Sequence, residues 1–216
     1  MNINNSYNQT FTSRNATIRF ADNLVRKVNK EFPRISTTKL ESFNNTYEFE
    51  YLMENLWEKT VLMRNNISRK FVKTEDPVKK LKLLLDTIKI KKLGNCKESA
   101  QLSFILAKMN GIDNCKMAYV VSPGDYDYDH AVVLVEDKKP YIIDAWLVFA
   151  DYIPNAIKKF QKEFRNCFDF EKAKTDKMQI KEDFGLIQHF LNEEVKQVDF
   201  EGLKNEYNHL VLENNR

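Results

Sequence analysis

"GNCKESAQLSFILAKMNGI" (residues 94–112) reads as a turn, a helix and a second turn. Gly94 closes the helical pattern before it, and Asn95 begins the next. With Asn95 as cap and Glu98 three residues later, the segment has the form of a capping box. Ala100, Phe104, Ala107 and Met109 supply a buried side, and Asn110-Gly111 ends the helix. Cys96 therefore falls in the first turn. A thiol there feels the partial positive charge of a helix amino terminus, beside backbone N–H groups that have no partner within the helix. A packing cysteine needs neither condition, whereas a nucleophile uses both.

Upstream, residues 18–73 read mainly as helices. In "YEFEYLMENLWEKTVLM" (residues 47–63), Phe49, Leu52, Met53, Leu56, Trp57 and Val61 recur at three- and four-residue spacing. "EDPVKKLKLLLDTIKIKK" (residues 75–92) carries a strong start, with Asp76 as cap and Pro77 at the first helical position. Its stripe is Val78, Leu81, Leu84, Leu85 and Ile88. Lys79, Lys80, Lys82, Lys89, Lys91 and Lys92 form the other face, which reads as solvated; a surface for acidic partners or anionic lipid is the sharper alternative.

Downstream of Gly111 the period changes from helical to alternating. "CKMAYVVS" (115–122), "HAVVLVE" (130–136) and "YIIDAWLV" (141–148) are strand-like runs separated by "PGDYDYD" and "DKKP". An antiparallel meander is the simplest arrangement. After Pro154 the pattern is helical again, with Ile157, Phe160 and Phe164 on one helix. Ile180, Phe184, Ile187, Phe190, Leu191 and Val195 mark another. The class is α+β: one domain over 18–216, with residues 1–17 as an amino-terminal tail.

The 216 residues include 43% hydrophobic and 12% aromatic residues, enough for a packed core. A net charge of +3 gives no electrostatic reason to expect nucleic acid as partner. No apolar run reaches the roughly 18 residues that a membrane span needs, so no integral membrane association is expected. Cys96, Cys115 and Cys167 cannot all pair, and they show neither CxxC nor His/Cys metal spacing. That pattern fits a reducing, cytoplasmic compartment with a free thiol, and implies no metal or organic cofactor. The first 17 residues, "MNINNSYNQTFTSRNAT", are rich in Asn, Ser and Thr. They read as a disordered tail, or as an uncleaved export signal of the kind carried by bacterial effectors.

His130 follows Cys96 by 34 residues and opens the second run; Asp144 follows His130 by 14 and lies in the third. On adjacent antiparallel strands the two can lie side by side, and a helix packed across the sheet can aim Cys96 at His130. An acidic residue within "YIIDAW" is costly unless paired. Cys96 as nucleophile, His130 as base and acid and Asp144 as orienting group form a candidate triad. Asn95, Asp129 and Trp146 are the candidate substrate-contacting residues. Asp125, Asp127 and Asp129 alternate before His130, with Glu136 eleven residues after Asp125, as in a calcium loop. His130 occupies the position where that loop needs glycine. The acidic stretch reads instead as a rim of the site. Cys115 and Cys167 read as structural, and His189 and His209 as surface residues.

These blocks resemble transglutaminase-like, papain-fold cysteine enzymes. "GNCKESAQLSFILAKMNGI" is similar to their nucleophile segment, and "HAVVLVEDKKPYIIDAW" to their histidine strand, hairpin and aspartate strand. The resemblance covers about residues 80–147, with Val132 where an aromatic is usual after the His-Ala pair. It implies a papain-like core and the same roles for Cys96, His130 and Asp144. The expected chemistry is acyl transfer from an amide of a protein substrate through a Cys96 thioester, as a glutamine deamidase or a protease, in an effector setting a host protein. A binding module of the same fold without turnover, and coenzyme-A-dependent acetyl transfer by the same triad, are the alternatives.

Overall fold

The computed structural model describes residues 5–38, 47–122, 125–164, 179–181 and 185–212, with side chains over 16–38, 49–120, 130–163 and 185–212. The helices described before the sheet are α1 (Asn5–Glu31), α2 (Tyr47–Lys73), α3 (Pro77–Lys91) and α4 (Cys96–Met109). Strands β1 (Cys115–Ser122), β2 (Asp125–Val135), β3 (Tyr141–Asp144) and β4 (Phe149–Tyr152) follow, then α5 (Ile153–Phe164) and β5 (Gln179–Lys181). Helix α6 (Leu186–His189) runs into a π-helical turn at Phe190–Glu194, and α7 (Glu201–Glu206) lies beyond. The class is α+β. Helix α1 takes in residues 5–17, the stretch that composition reads as a tail.

Each pairing in the sheet is antiparallel, in the order β4-β3-β2-β1-β5. Met117, Ala131, Val133, Val135, Tyr141 and Ile143 join the main core with residues of α1, α3 and α4. Ala118, Val120, Val132 and Ile142, on the other face, meet Ala156 and Phe160 of α5. Helix α4 is the centre of the main core: from Glu98 to Ala107 each residue is buried. It accordingly lacks the polar stripe of a surface helix.

Helix α3 follows its expected start. Asp76 accepts from the backbone N–H groups of Val78 and Lys79, and Leu81, Leu84, Leu85 and Ile88 are buried. Its stop differs from expectation. Lys92, with φ 51°, takes the left-handed cap, and Gly94 serves a different need. A Cβ on Gly94 would lie 2.7 Å from Cβ of Glu98, so glycine is there because α4 begins against it.

Other expectations need correction. On α2 the stripe from Phe49 to Val61 is not the buried one; Leu52 and Trp57 are exposed, while Thr60, Met63, Ile67 and Phe71 enter the core. The helix meets the core with its carboxy-terminal half, which local periodicity cannot reveal. The lysine face of α3 is partly covered. Lys80 lies 5.0 and 4.9 Å from the ring centres of Phe71 and Phe190 and 3.8 Å from Glu194, and Lys82 pairs with Glu206. Residues 125–129 belong to β2 rather than to a loop, because Ser122 and Val121 continue the ladder to Asp125 and Asp129 across an irregular step. A calcium loop cannot form on extended backbone. Ile180 lies in β5 rather than on the helix that contains Ile187; Phe184 and Cys167 lie outside the described residues.

The run at 141–148 is not one strand. It stops at Asp144, turns through Ala145–Val148 and returns as β4. Asp144 makes this turn itself: its Oδ1 accepts from the N–H groups of Trp146 and Leu147, each at 2.9 Å. That is an Asx-type turn, in which a carboxylate replaces a backbone acceptor. Val148 has φ 63°, strained for a β-branched residue. The turn is anchored from α1, where Asn29 Nδ2 donates to the Ala145 carbonyl at 2.9 Å and Asp22 Oδ1 accepts from Ala150 N at 2.7 Å.

Candidate active site

The β2–β3 ladder pairs Val135 with Tyr141 and ends at the Val133–Ile143 pair. Beyond it the two strands part, with Asp144 at the level of Val132 and His130 one diagonal step further. Diagonal neighbours on one face remain within reach of long side chains. His130 Nε2 and Asp144 Oδ2 are 2.6 Å apart, and both side chains are buried. The His130 ring packs between Trp146 and Phe160, at 5.2 and 5.5 Å between ring centres.

Cys96 meets this pair from α4. It is half-buried and borders both hydrophobic clusters, as a residue at the parting of the strands must. Its thiol lies close enough to His130 to contribute to the charge balance of the ring. Nε2 is engaged by Asp144, which leaves Nδ1 as the ring nitrogen not bonded to the carboxylate. The body of α4 packs on the face opposite His130, so contact is made only at its first turn. All three candidate catalytic side chains are thus brought together, by a route around the sheet rather than straight across it.

Burial alone would pull the His130 pKa down. The charge and hydrogen bond of Asp144, with a further contribution from Cys96, override it and raise the value from 6.5 to about 10. An imidazolium is therefore the favoured form near neutral pH, held between a carboxylate and a thiol.

The first turn of α4 is fixed by a second ion pair. Glu98 Oε2 accepts from Asn95 N at 2.9 Å, which is the glutamate arm of the capping box. The same carboxylate receives Arg64 Nε at 2.7 Å and Nη2 at 2.9 Å. Burial acts against the charge on Glu98, but the Arg64 fork outweighs it and holds the carboxyl below its usual range. Periodicity gave no sign of Arg64, which lies on α2 and reaches Glu98 only through the fold.

A third group was equally hidden. Trp146 Nε1 donates to Ser36 Oγ at 2.8 Å, and Ser36 donates in turn to Asn95 Oδ1 at 3.0 Å. Thr37 also donates to Asn95 Oδ1, at 3.1 Å. Asn95 and Trp146 are both buried, and these polar groups are spent on internal bonds. Their observed contacts are with the frame of the site. Asp129 stands opposite Val121 in the ladder; its side chain lies outside the described residues.

Cys115 is buried, donates to the Ile112 carbonyl at 3.2 Å, and has its pKa pushed up to about 12 by burial. His189 and His209 are exposed. Among the described residues there is no group of three or more His, Cys, Asp or Glu placed to hold a metal ion, and no helix long and apolar enough to cross a membrane. A scan against protein-family models and a search of curated proteins each found no match to this chain.

Proposed function

We propose that this protein is a thiol-dependent hydrolase of amide bonds, with Cys96 as nucleophile, His130 as proton carrier and Asp144 as orienting group. The observation that carries the reading is the buried imidazole, held by Asp144 at 2.6 Å and set beside a thiol at a helix start. The order of helix, histidine strand and aspartate strand supports a papain-like, transglutaminase-like core.

In the reaction, the thiolate of Cys96, paired with the His130 imidazolium, attacks the carbonyl carbon of the amide. The oxyanion forms beside the start of α4. Its backbone hydrogen-bond ladder begins at Ser99 N, leaving the amides of Cys96 and Lys97 ahead of it as donors. His130 then gives its proton to the departing nitrogen as the C–N bond breaks, leaving a thioester. Water, deprotonated by His130, attacks the thioester; the carboxylic acid departs and the thiol is restored. Asp144 keeps the ring in the tautomer these steps require. A glutamine side chain as substrate releases ammonia; a backbone amide releases a new amino terminus. The substrate is read as a protein, and as a host protein if residues 1–17 direct export.

The pH dependence of Cys96 alkylation by iodoacetamide, read by peptide mass spectrometry, tests this. Reaction well below pH 7, lost in His130→Ala, is the expected result. Titration of Cys96 near the free-thiol value of about 8.5 would remove the basis for the reading.

A further inference from the structure

Arg34 is a half-buried arginine without a carboxylate in direct contact among the described residues. Its fork bonds entirely to neutral acceptors. Nε and Nη2 donate to Ser99 Oγ at 3.0 and 2.8 Å, and Nη1 donates to the Phe32 carbonyl at 2.8 Å. Nη2 also reaches Asn29 Oδ1 at 3.2 Å and the Ala145 carbonyl at 3.4 Å. Ser99 stands on the first turn of α4 and donates to the Asn95 carbonyl at 2.8 Å. Ala145 is the residue after Asp144. One planar group therefore touches the end of α1, the turn that carries the nucleophile, and the turn that carries the orienting carboxylate.

Its neighbours extend the link. Ile35 N donates to the Lys92 carbonyl at 2.9 Å and Gly94 N donates to the Ile35 carbonyl at 3.1 Å. Ser36 and Thr37 complete it through Trp146 and Asn95. Residues 34–37 thus form a clasp between the approach to Cys96 and the Asp144 turn, on the stretch where β2 and β3 no longer hold each other. Burying a guanidinium among neutral acceptors is unfavourable. Burial accordingly lowers its pKa to about 10 against the pull of Glu98 and Asp144. A lysine could supply the same charge, but not five bonds in a plane.

We propose that Arg34 is a positioning residue for the site, clamping the first turn of the Cys96 helix to the Asp144 turn so that thiol and imidazole stay in register. This rests on the reading of Cys96 and His130 given above. Arg34 acts by the span of its fork rather than by its charge. Among the described residues, the groups placed around His130 and its two partners include Asp144 from β3, Cys96 from α4, Arg64 from α2 with its own partner Glu98, and Arg34 itself; α5 contributes the apolar Phe160.

The test is the pH profile of Cys96 alkylation by iodoacetamide in the full-length wild type, Arg34→Lys and Arg34→Met, with folding checked by circular dichroism. Both variants are expected to lose about tenfold or more of the rate at pH 6, as Cys96 drifts towards ordinary thiol behaviour. Cys115 should stay unreactive throughout. A wild-type profile in either folded variant overturns the proposal, and rescue by lysine alone would assign the role to charge instead. If neither variant folds, Ser99→Ala removes the acceptor of two of the five bonds. It must shift the profile in the same direction, and an unchanged profile overturns the clamp. A wild type without reactivity below pH 7 would instead sink the underlying reading, and this inference with it.

Discussion

Asp144 uses its two carboxylate oxygens on two different tasks: Oδ2 holds His130 at 2.6 Å, and Oδ1 holds the turn that sends β3 back as β4. The residue that orients the imidazole also shapes the backbone beside it. A substitution that spares the turn can therefore isolate the electrostatic role. Asp144→Asn keeps an oxygen for the N–H groups of Trp146 and Leu147 but removes the charge. Burial then dominates at His130, its pKa falls, and the rate of Cys96 alkylation at pH 6 should drop by about tenfold or more. An unchanged rate in a folded variant would remove Asp144 from the site.

The same pair makes stability depend on pH. His130 has a folded-state pKa near 10 against 6.5 for the free side chain, so the native state retains a proton that the unfolded chain gives up. Its contribution is complete below pH 6.5 and is lost as pH rises towards 10. The slope from this group is about 1.4 kcal/mol per pH unit within that window. Urea unfolding at pH 6 and pH 9 should show the decline in wild type, and a much weaker one in His130→Ala. Parallel slopes in the two proteins would contradict it.

Glu98 works in the opposite sense. Its carboxyl is held below the usual range by Arg64, so its contribution is present above the unfolded value of 4.5 and disappears as pH falls through the folded value. Arg64 is partly exposed, which tempers the strength of the pair. Glu98→Gln should cost about 2 kcal/mol at pH 7. It should also remove that part of the acid sensitivity, measured by circular dichroism during acid titration. A variant as stable as wild type at neutral pH would show the pair to be incidental.

Gly94 leaves no room for a side chain, with Cβ of Glu98 only 2.7 Å from where its own would stand. Gly94→Ala must push the first turn of α4 away from its approach, at a cost of about 2 kcal/mol or more. Thermal unfolding gives the first number, and the alkylation profile should move with it. Stability within experimental error of wild type would mean the two segments separate easily.

Cys115, with its thiol pushed up to about 12, serves as the internal control. It should remain unmodified at pH 9 in the folded protein and react once urea is added. Modification at the rate of Cys96 under native conditions would show that the strand end opens.

Much of the site was legible because its signals are local. Asn95 and Glu98 lie three residues apart, and the Asp76-Pro77 start stands in a few letters of sequence. The clasp was not legible. Ser36 and Trp146 are separated by 110 residues, and Arg34 and Ser99 by 65, so neither pairing leaves a periodic trace. Strand β4 was missed for a different reason. The turn before it contains no glycine, proline or asparagine, and relies on the side chain of Asp144 and a strained Val148. Alternation at "DYDYD" looked like a polar loop because strand propensity from Tyr126 and Tyr128 was outweighed by the acidic residues between them.

The long reach of the clasp bears on when the site can exist. Asp22, Asn29, Arg34 and Ser36 find their partners at Ala150, Ala145 and Trp146, which are made more than a hundred residues later. At ribosomal speeds of about 5–20 residues per second, the amino-terminal segment waits several seconds for these distant partners. The thiol of Cys96 is synthesised long before the turn that must orient its imidazole. A nascent chain thus carries the proposed nucleophile unassembled, and the site closes only when synthesis is well past β4.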